Sequence, residues 1–328
     1  MEHLNQWFGL AQQWLFEWGI EPLMFHLGLG QFVEDGYAAC GWLLVGLVQI
    51  VVLLAVIGPL QRWRPVESVT DRAEVRTDIL YTLIHRLGLF RVALFFLVQP
   101  LTDEFFGMLR VAGFGTFQLD QLWPGVTELP LVSFAIYLVV FDFAGYWVHR
   151  AQHRFEWWWN LHSLHHSQRQ LTMWSDNRNH LLDDLIRDTL LVVLAQCIGV
   201  APGQFVTLTA VAQLSESLQH ANVRLWFGRL GERLWVSPRF HRRHHSVGIG
   251  HENVGWPQPA LIQGRSRALG GHNFGVLLPW WDVLFGTANF DARYDPTGIR
   301  DQVEQGRDYG RGFVRQQWLG VKRLFGAA

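Results

Sequence analysis

Nine histidines in four tight groups carry the chemistry of this chain: His149 and His153; His162, His165 and His166; His220; and His241, His244 and His245. Residues three or four apart on a helix share a face, so His149 and His153 can converge on one ion, as can His162 with His165 or His166. His241, His244 and His245 repeat that pattern. In each H-x-x-H-H triplet the adjacent pair diverges by roughly 100° around a helix axis, which lets one imidazole reach each of two neighbouring metals. One ion rarely takes more than about four or five imidazoles, so this inventory fits a site for two. The two cysteines, Cys40 and Cys197, each lie in an apolar stretch, so neither a disulfide framework nor a thiolate cluster can be built. The ligands must be nitrogen or oxygen.

His220 stands alone, but Glu216 precedes it by one turn and Asn222 follows closely, and ligation is the favoured reading. His180 ends the polar run from Asp176 and is read either as a tenth ligand or as the cap of the next helix. His251 and His272 fall in a Gly- and Pro-rich loop and read as solvated, while His3, His26 and His85 are remote. Imidazole alone does not choose among zinc, copper, iron and nickel. No H-E-x-x-H motif is present, and His251 with Glu252 lacks a second histidine at the needed distance, which disfavours a zinc protease. Activating an unreactive C–H bond needs a redox metal and O2, and a membrane-facing site points to lipid; both favour iron.

The elements that hold these groups read as membrane helices. Hydrophobic residues make up 49% of the 328, with 17 Trp and 23 Phe against 17% charged. A net charge of −1 gives no basic excess for nucleic acid. Residues 1–61 contain no Lys or Arg, so no basic region of a secretory signal is expected near the start. Cys40 to Leu60 is uncharged and long enough to span, with acidic Glu34 and Asp35 before it and Arg62 and Arg64 after it. The positive-inside rule therefore puts the amino terminus outside. A second span covers Ile79 to Pro100, whose His85, Arg86 and Arg91 should face protein. Leu101 to Glu128 reads as an outside loop, Leu129 to Val148 as a third span, and Leu185 to Val200 with Phe205 to Leu218 as a hairpin split by Ala201, Pro202 and Gly203. All four histidine groups then lie on the cytoplasmic side.

Fifteen of the 27 basic residues follow Asn222, which suits a region lying against anionic lipid. Val314, Trp318, Val321 and Phe325 recur at helical spacing, flanked by Arg311, Arg315 and Lys322. This is an amphipathic helix lying either in the interface or on the protein's own cap. Trp7, Trp14 and Trp18 mark a similar amino-terminal stretch. The fold class is thus an all-α integral-membrane bundle of about three spans plus a hairpin, with a cytoplasmic helical cap. Its divisions are an N-terminal membrane region over 1–128, a catalytic domain over 129–290 and a tail over 291–328.

Five segments, in order, resemble the fatty acid hydroxylase and sterol desaturase superfamily: D-F-A-G-Y-W-V-H-R-A-Q-H from Asp142, N-L-H-S-L-H-H-S from Asn160, Q-H-A-N-V from Gln219, P-R-F-H-R-R-H-H from Pro238, and N-F-G-V-L-L-P-W-W-D-V-L-F-G-T from Asn273. The resemblance covers roughly residues 129–290. It implies an all-helical membrane enzyme with a histidine-ligated di-iron centre on the cytoplasmic face, hydroxylating or desaturating a lipid with O2. The nine histidines would be iron ligands and His180 a tenth candidate. Asp142 matches an acidic position of the first motif and would orient a ligand through its free ring nitrogen; Asp282 matches another and would be supporting. Trp157, Trp158 and Trp159 would line an entrance or form an aromatic belt. The 27 residues between His245 and Asn273 exceed the family's usual link, as a lid or binding loop would. No fused haem-binding carrier is recognisable, so electrons would come from a separate protein. A zinc-dependent membrane hydrolase and a metal transporter or binding protein are the rival readings.

Overall fold

A computed structural model describes residues 2–247 and 271–327; most of the 246–272 insertion, including His251, lies outside the described residues. Every regular element among them is helical. Helices α1 (Glu2–Leu15) and α2 (Glu21–His26) are joined by a π turn and carry the exposed Trp7, Trp14 and Trp18. Helices α3 (Val33–Val52) and α4 (Gly58–Trp63) belong to one apolar rod from Gly30 to Trp63, with a π turn between them. That rod and α8 (Pro130–Arg154) are the two helices long and apolar enough to cross a membrane.

The expected second span begins earlier and bends. Helix α5 (Arg72–Arg86) is started by Asp71, whose carboxylate accepts from the amides of Ala73 and Glu74. It gives way to α6 (Leu89–Leu97) at Gly88, whose φ of 81° is open to glycine and costly for other residues. The two axes differ by 51°, so this pair is a third span only if the broken rod counts as one. The outside loop read from Leu101 is also corrected, because α7 (Gln99–Val111) fills its first part, with Pro100 pre-set for a helix start.

The hairpin is longer than its apolar cores. Helix α10 (Leu181–Ile198) ends at left-handed Gly199, and α11 (Pro202–His220) restarts at once on a proline. Both pack on α8, and α11 also packs on α3. Between α8 and α10, α9 (Glu156–His166) folds back over the end of α8 after a single extended residue, Phe155. Four short helices, α12 (Gly228–Gly231), α13 (Pro238–His244), α14 (Trp280–Leu284) and α15 (Arg300–Glu304), precede the final α16 (Phe313–Leu324).

His85, Arg86 and Arg91 do face protein. Arg86 is 2% exposed and reaches Gln49 and Asp176 at 3.2 Å and Ser217 and the Gln213 carbonyl at 3.0 Å, pinning α3, α5 and α11 together. His85 Nε2 lies 3.3 Å from Asp184, and the Arg91 guanidinium sits 3.5 Å above the Trp42 ring. Helix α16 packs on α9 through its polar face, with Gln316, Gly320 and Arg323 buried, while Val314, Trp318 and Phe325 remain exposed. The helix thus does pack on the protein, but through its polar face and not through the apolar stripe that the spacing marked.

One contact admits no side chain. A Cβ on Gly46 of α3 would stand 1.7 Å from the Arg86 carbonyl oxygen of α5, so the helices touch backbone to backbone. Gly46→Ala must part them, and we expect a loss of about 1–3 kcal/mol, read as a lower thermal unfolding midpoint in detergent with no change in helix content.

Candidate metal centre

The nine histidines come from the carboxyl ends of four helices. Ser237, capping α13 through the Phe240 amide, and Pro238 at its first turn allow a seven-residue helix to form where it is needed. His149 and His153 lie on the last turns of α8, His162, His165 and His166 on the last turns of α9, His220 is the last residue of α11, and His245 follows α13 directly. Helix carboxyl ends carry partial negative charge, so their meeting point favours a cation.

The structure divides these side chains into two groups. His149, His153, His162, His166 and His244 form one, and His165, His220, His241 and His245 the other, with one nitrogen from each ring within 4.8 Å of the others in its group. The adjacent residues of each H-x-x-H-H motif part company, as the helical divergence required. His165 and His166 go to different groups with ring planes 84° apart, and His244 and His245 do the same at 88°.

Oxygen acceptors behind the rings set their tautomers. His149 Nδ1 donates to the Phe274 carbonyl at 2.9 Å, His162 Nδ1 to Asp183 at 2.9 Å, His244 Nδ1 to the His272 carbonyl at 2.7 Å, and His220 Nδ1 to the Glu216 carbonyl at 2.7 Å. A proton on Nδ1 leaves the Nε2 lone pair facing inward, as metal-ligating histidines require. In the four-membered group, Nε2 of His220 lies 3.1 Å from that of His165 and 3.0 Å from that of His241, which is 3.1 Å from His245. Hydrogen bonds cannot explain this chain, since the one proton on His241 Nε2 cannot serve both His220 and His245. Two nitrogens about 2.1 Å from one ion, at right angles across it, lie about 3.0 Å apart. The spacing therefore fits a shared ion. Burial first, then the surrounding imidazoles, holds His165, His166, His241 and His245 well below the ordinary histidine range, so all four are neutral and able to ligate.

The other sequence candidates separate. His180 belongs to neither group: its Nδ1 accepts from the Leu182 amide at 3.2 Å and its Nε2 donates to the Gln317 carbonyl at 2.9 Å, so both nitrogens are used in capping α10. Asp142 makes no hydrogen bond to an imidazole. Its oxygens accept from the amides of Leu277 and Leu278 and from Trp281 Nε1, at 2.6, 3.1 and 2.8 Å, which ties the segment after the insertion to α8. Asn222 instead binds the backbone of Val66 and Glu67, so its place is in holding the turn after α4. Glu216 serves His220 through its carbonyl, not its carboxylate.

Asp282 supports the centre at one remove. It accepts from the amides of Phe274 and Gly275 at 2.9 and 2.7 Å and from the Thr287 hydroxyl at 2.6 Å, fixing the loop that supplies the Phe274 carbonyl. Asn273 clamps the same loop, donating to the carbonyls of Phe240 and Asn289. Trp158 and Trp159 are buried, so they do not line an entrance; Trp158 Nε1 donates to Asp183 at 2.7 Å, while Trp157 stacks outside it.

Asp183 is the residue that the sequence reading missed. It receives Gln152, Trp158 and His162 together. In the sequence it looks like one of several acids in the first turn of a helix, where the helix dipole alone accounts for it. Only its distance from Trp158 and His162, 25 and 21 residues, hid the link.

Residues 134–287 match the family model described as fatty acid hydroxylase. The chain is 28% identical over 257 residues to an ornithine lipid hydroxylase of Rhizobium tropici, covering 77% of this chain and 70% of that protein. It is 25% identical over 158 residues to an alkylglycerol monooxygenase of Caenorhabditis elegans, covering 47% of this chain and 26% of that protein. No solved structure matches. These matches support the fatty acid hydroxylase superfamily and an enzyme, the relatives being named as a lipid hydroxylase and a monooxygenase.

Two outcomes follow from this geometry. Asp183→Asn leaves His162 without its charged acceptor, and metal affinity should fall by about 10- to 100-fold, read by competition with a chelator. The folded chain keeps its crowded rings neutral at a pH where the unfolded chain protonates its own, so folding is penalised as pH falls through the free histidine value. Metal-free protein should therefore lose thermal stability progressively below about pH 6.5, with little change above it.

Proposed function

We propose that this protein is an O2-dependent di-iron enzyme that hydroxylates a C–H position of a membrane lipid. The observation that carries the reading is the division of nine histidines into adjacent groups of five and four. His149, His153, His162, His166 and His244 would hold one iron, and His165, His220, His241 and His245 the other. Such a centre supplies the activation of O2 that the C–H bond needs. Overall, one oxygen atom enters the C–H bond and the other leaves as water, consuming two electrons and two protons; the electrons come from a separate carrier protein. Desaturation would use the same centre, but both relatives are named for hydroxylation or monooxygenation, which favours an alcohol product.

The chain's own residues orient and shield. Asp183 and the carbonyls of Phe274, His272 and Glu216 aim the rings, and Asp282 and Asn273 hold the loop that carries two of those carbonyls. The catalytic unit is residues 129–290, which contain the whole matched region. By the positive-inside rule the centre faces the cytoplasm. An amino-acid-linked lipid of the ornithine type is the first substrate to test, because that relative covers most of this chain.

Protein purified without chelator should contain about two irons per chain. Given an electron donor, it should add one oxygen to a lipid only when O2 is present, read by mass spectrometry. His166→Ala and His245→Ala should each lower that turnover at least about 100-fold while the protein stays folded. Stoichiometric zinc with anaerobic turnover would replace this reading with a zinc hydrolase, and metal spread along a path through the membrane would replace it with a transporter.

A further inference from the structure

We infer that electrons reach the metal centre through the stacked indoles of Trp157 and Trp158, so that the corner between α8 and α9 is where a one-electron carrier protein docks. This rests on the O2-dependent reading above, which needs two electrons per turnover from a separate protein, and it says where they enter.

Eight of the nine histidines are buried, so an electron from outside must cross protein to reach them. Tunnelling falls off steeply with distance and is carried better by bonds, hydrogen bonds and touching rings than across gaps. Four rings have an acceptor behind Nδ1; three of these acceptors are backbone carbonyls, and only His162 meets a side chain, Asp183, at 2.9 Å. The other oxygen of Asp183 takes Trp158 Nε1 at 2.7 Å. The Trp158 ring in turn lies against Trp157, with centroids 5.1 Å apart and planes 12° from parallel. Trp158 is buried, whereas Trp157 is 47% exposed. From surface to ligand the route is thus one stacking contact and two hydrogen bonds. His162 belongs to the group of five rings, and His165 on the same helix to the group of four, so the route ends beside both.

Two rival aromatic paths among the described residues do not suit a carrier. Trp159 lies 5.0 Å from His153 and 5.4 Å from His166, but it is buried together with Ile299 and Tyr309. Trp147 is exposed and leads through Tyr146 and Phe274 to His153, with successive centroids 5.6, 6.2 and 5.2 Å apart. It lies inside the span read from Leu129 to Val148, at a depth that lipid covers. Trp157 follows the end of α8, and Arg154, Phe155, Glu156 and Trp157 are four exposed residues in succession. One base and one acid cancel there, which leaves two aromatic rings as the main feature. Such a corner suits a carrier with an apolar docking face, since tryptophan is prominent among the residues that carry binding energy at interfaces. Each passage oxidises the carrier by one electron and turns one ferric ion ferrous; no bond along the route forms or breaks, and two passages supply one turnover.

The probe is a reduced [2Fe–2S] ferredoxin that supports turnover of the unaltered enzyme, with dithionite as a small reductant that needs no docking site. In stopped flow without O2, Trp157→Ala should slow reduction of the irons by ferredoxin about tenfold or more, with the dithionite rate and the iron content unchanged. Metal-free Trp157→Ala should also bind oxidised ferredoxin about tenfold more weakly. Trp157→Phe, which keeps a stacked ring, should recover most of both losses, and Trp147→Ala should match the unaltered protein. An unchanged ferredoxin rate in Trp157→Ala, an equal slowing with dithionite, or a slowing by Trp147→Ala in its place would each overturn the route and leave lipid oxygenation standing. Irons that dithionite reduces and O2 reoxidises without any lipid gaining oxygen would instead overturn the reading on which the route rests.

Discussion

Everything in this structure depends on keeping nine imidazoles crowded together and aimed at common points. An imidazole in water takes a proton near neutral pH and turns freely; neither suits a ligand. Burial removes the proton, because each charged ring would sit among other rings in a site of low dielectric. Orientation comes from the opposite side, where a carbonyl or carboxylate claims Nδ1 on four of the rings. The two effects act together: the acceptor fixes which nitrogen carries hydrogen, and crowding keeps the other bare.

The surrounding helices can be read as the support that this demands. Histidines at the ends of α8, α9, α11 and α13 meet only if those ends are held at fixed distances, and the holding groups are polar and buried. Arg86 links α3, α5 and α11; Arg178 joins α5 through Asp78 and Glu74; Asp142 ties α8 to the segment before α14. Such groups are expensive to bury singly, and they are tolerated because each is met by several partners. They contribute little net stability but allow few alternative arrangements. Asp183 belongs to this set and touches the histidine groups at once, through His162.

Much of the site was legible because helical spacing is local. Eight of its histidines lie in motifs where the three- and four-residue intervals already state which rings share a face, and the split of His165 from His166 follows from the same geometry. The long apolar run into Arg62 likewise declared its rod. What failed was everything that depends on pairing across the chain. Asp142 is placed beside a ring by its position in the family motif and Asn222 by its nearness to His220 in sequence, yet backbone amides elsewhere compete for carboxylate and amide oxygens and win them. His180 offered two readings, and only the position of Gln317, 137 residues away, decides between them. The bend at Gly88 was hidden because hydropathy continues smoothly through it, whereas a positive φ leaves no trace in composition.

Helix α16 has a further meaning when its contacts are followed inward. Its Arg323 Nε donates to the Asn160 carbonyl in the middle of α9, and its Gln317 carbonyl takes His180, so a segment far along the chain braces the helix that carries three of the imidazoles. Its opposite side presents Val314, Trp318 and Phe325 outward. The same short rod is thus a strut on one flank and a greasy runner on the other. A load placed on that exposed side would pass straight to α9, and so to the histidines at its end.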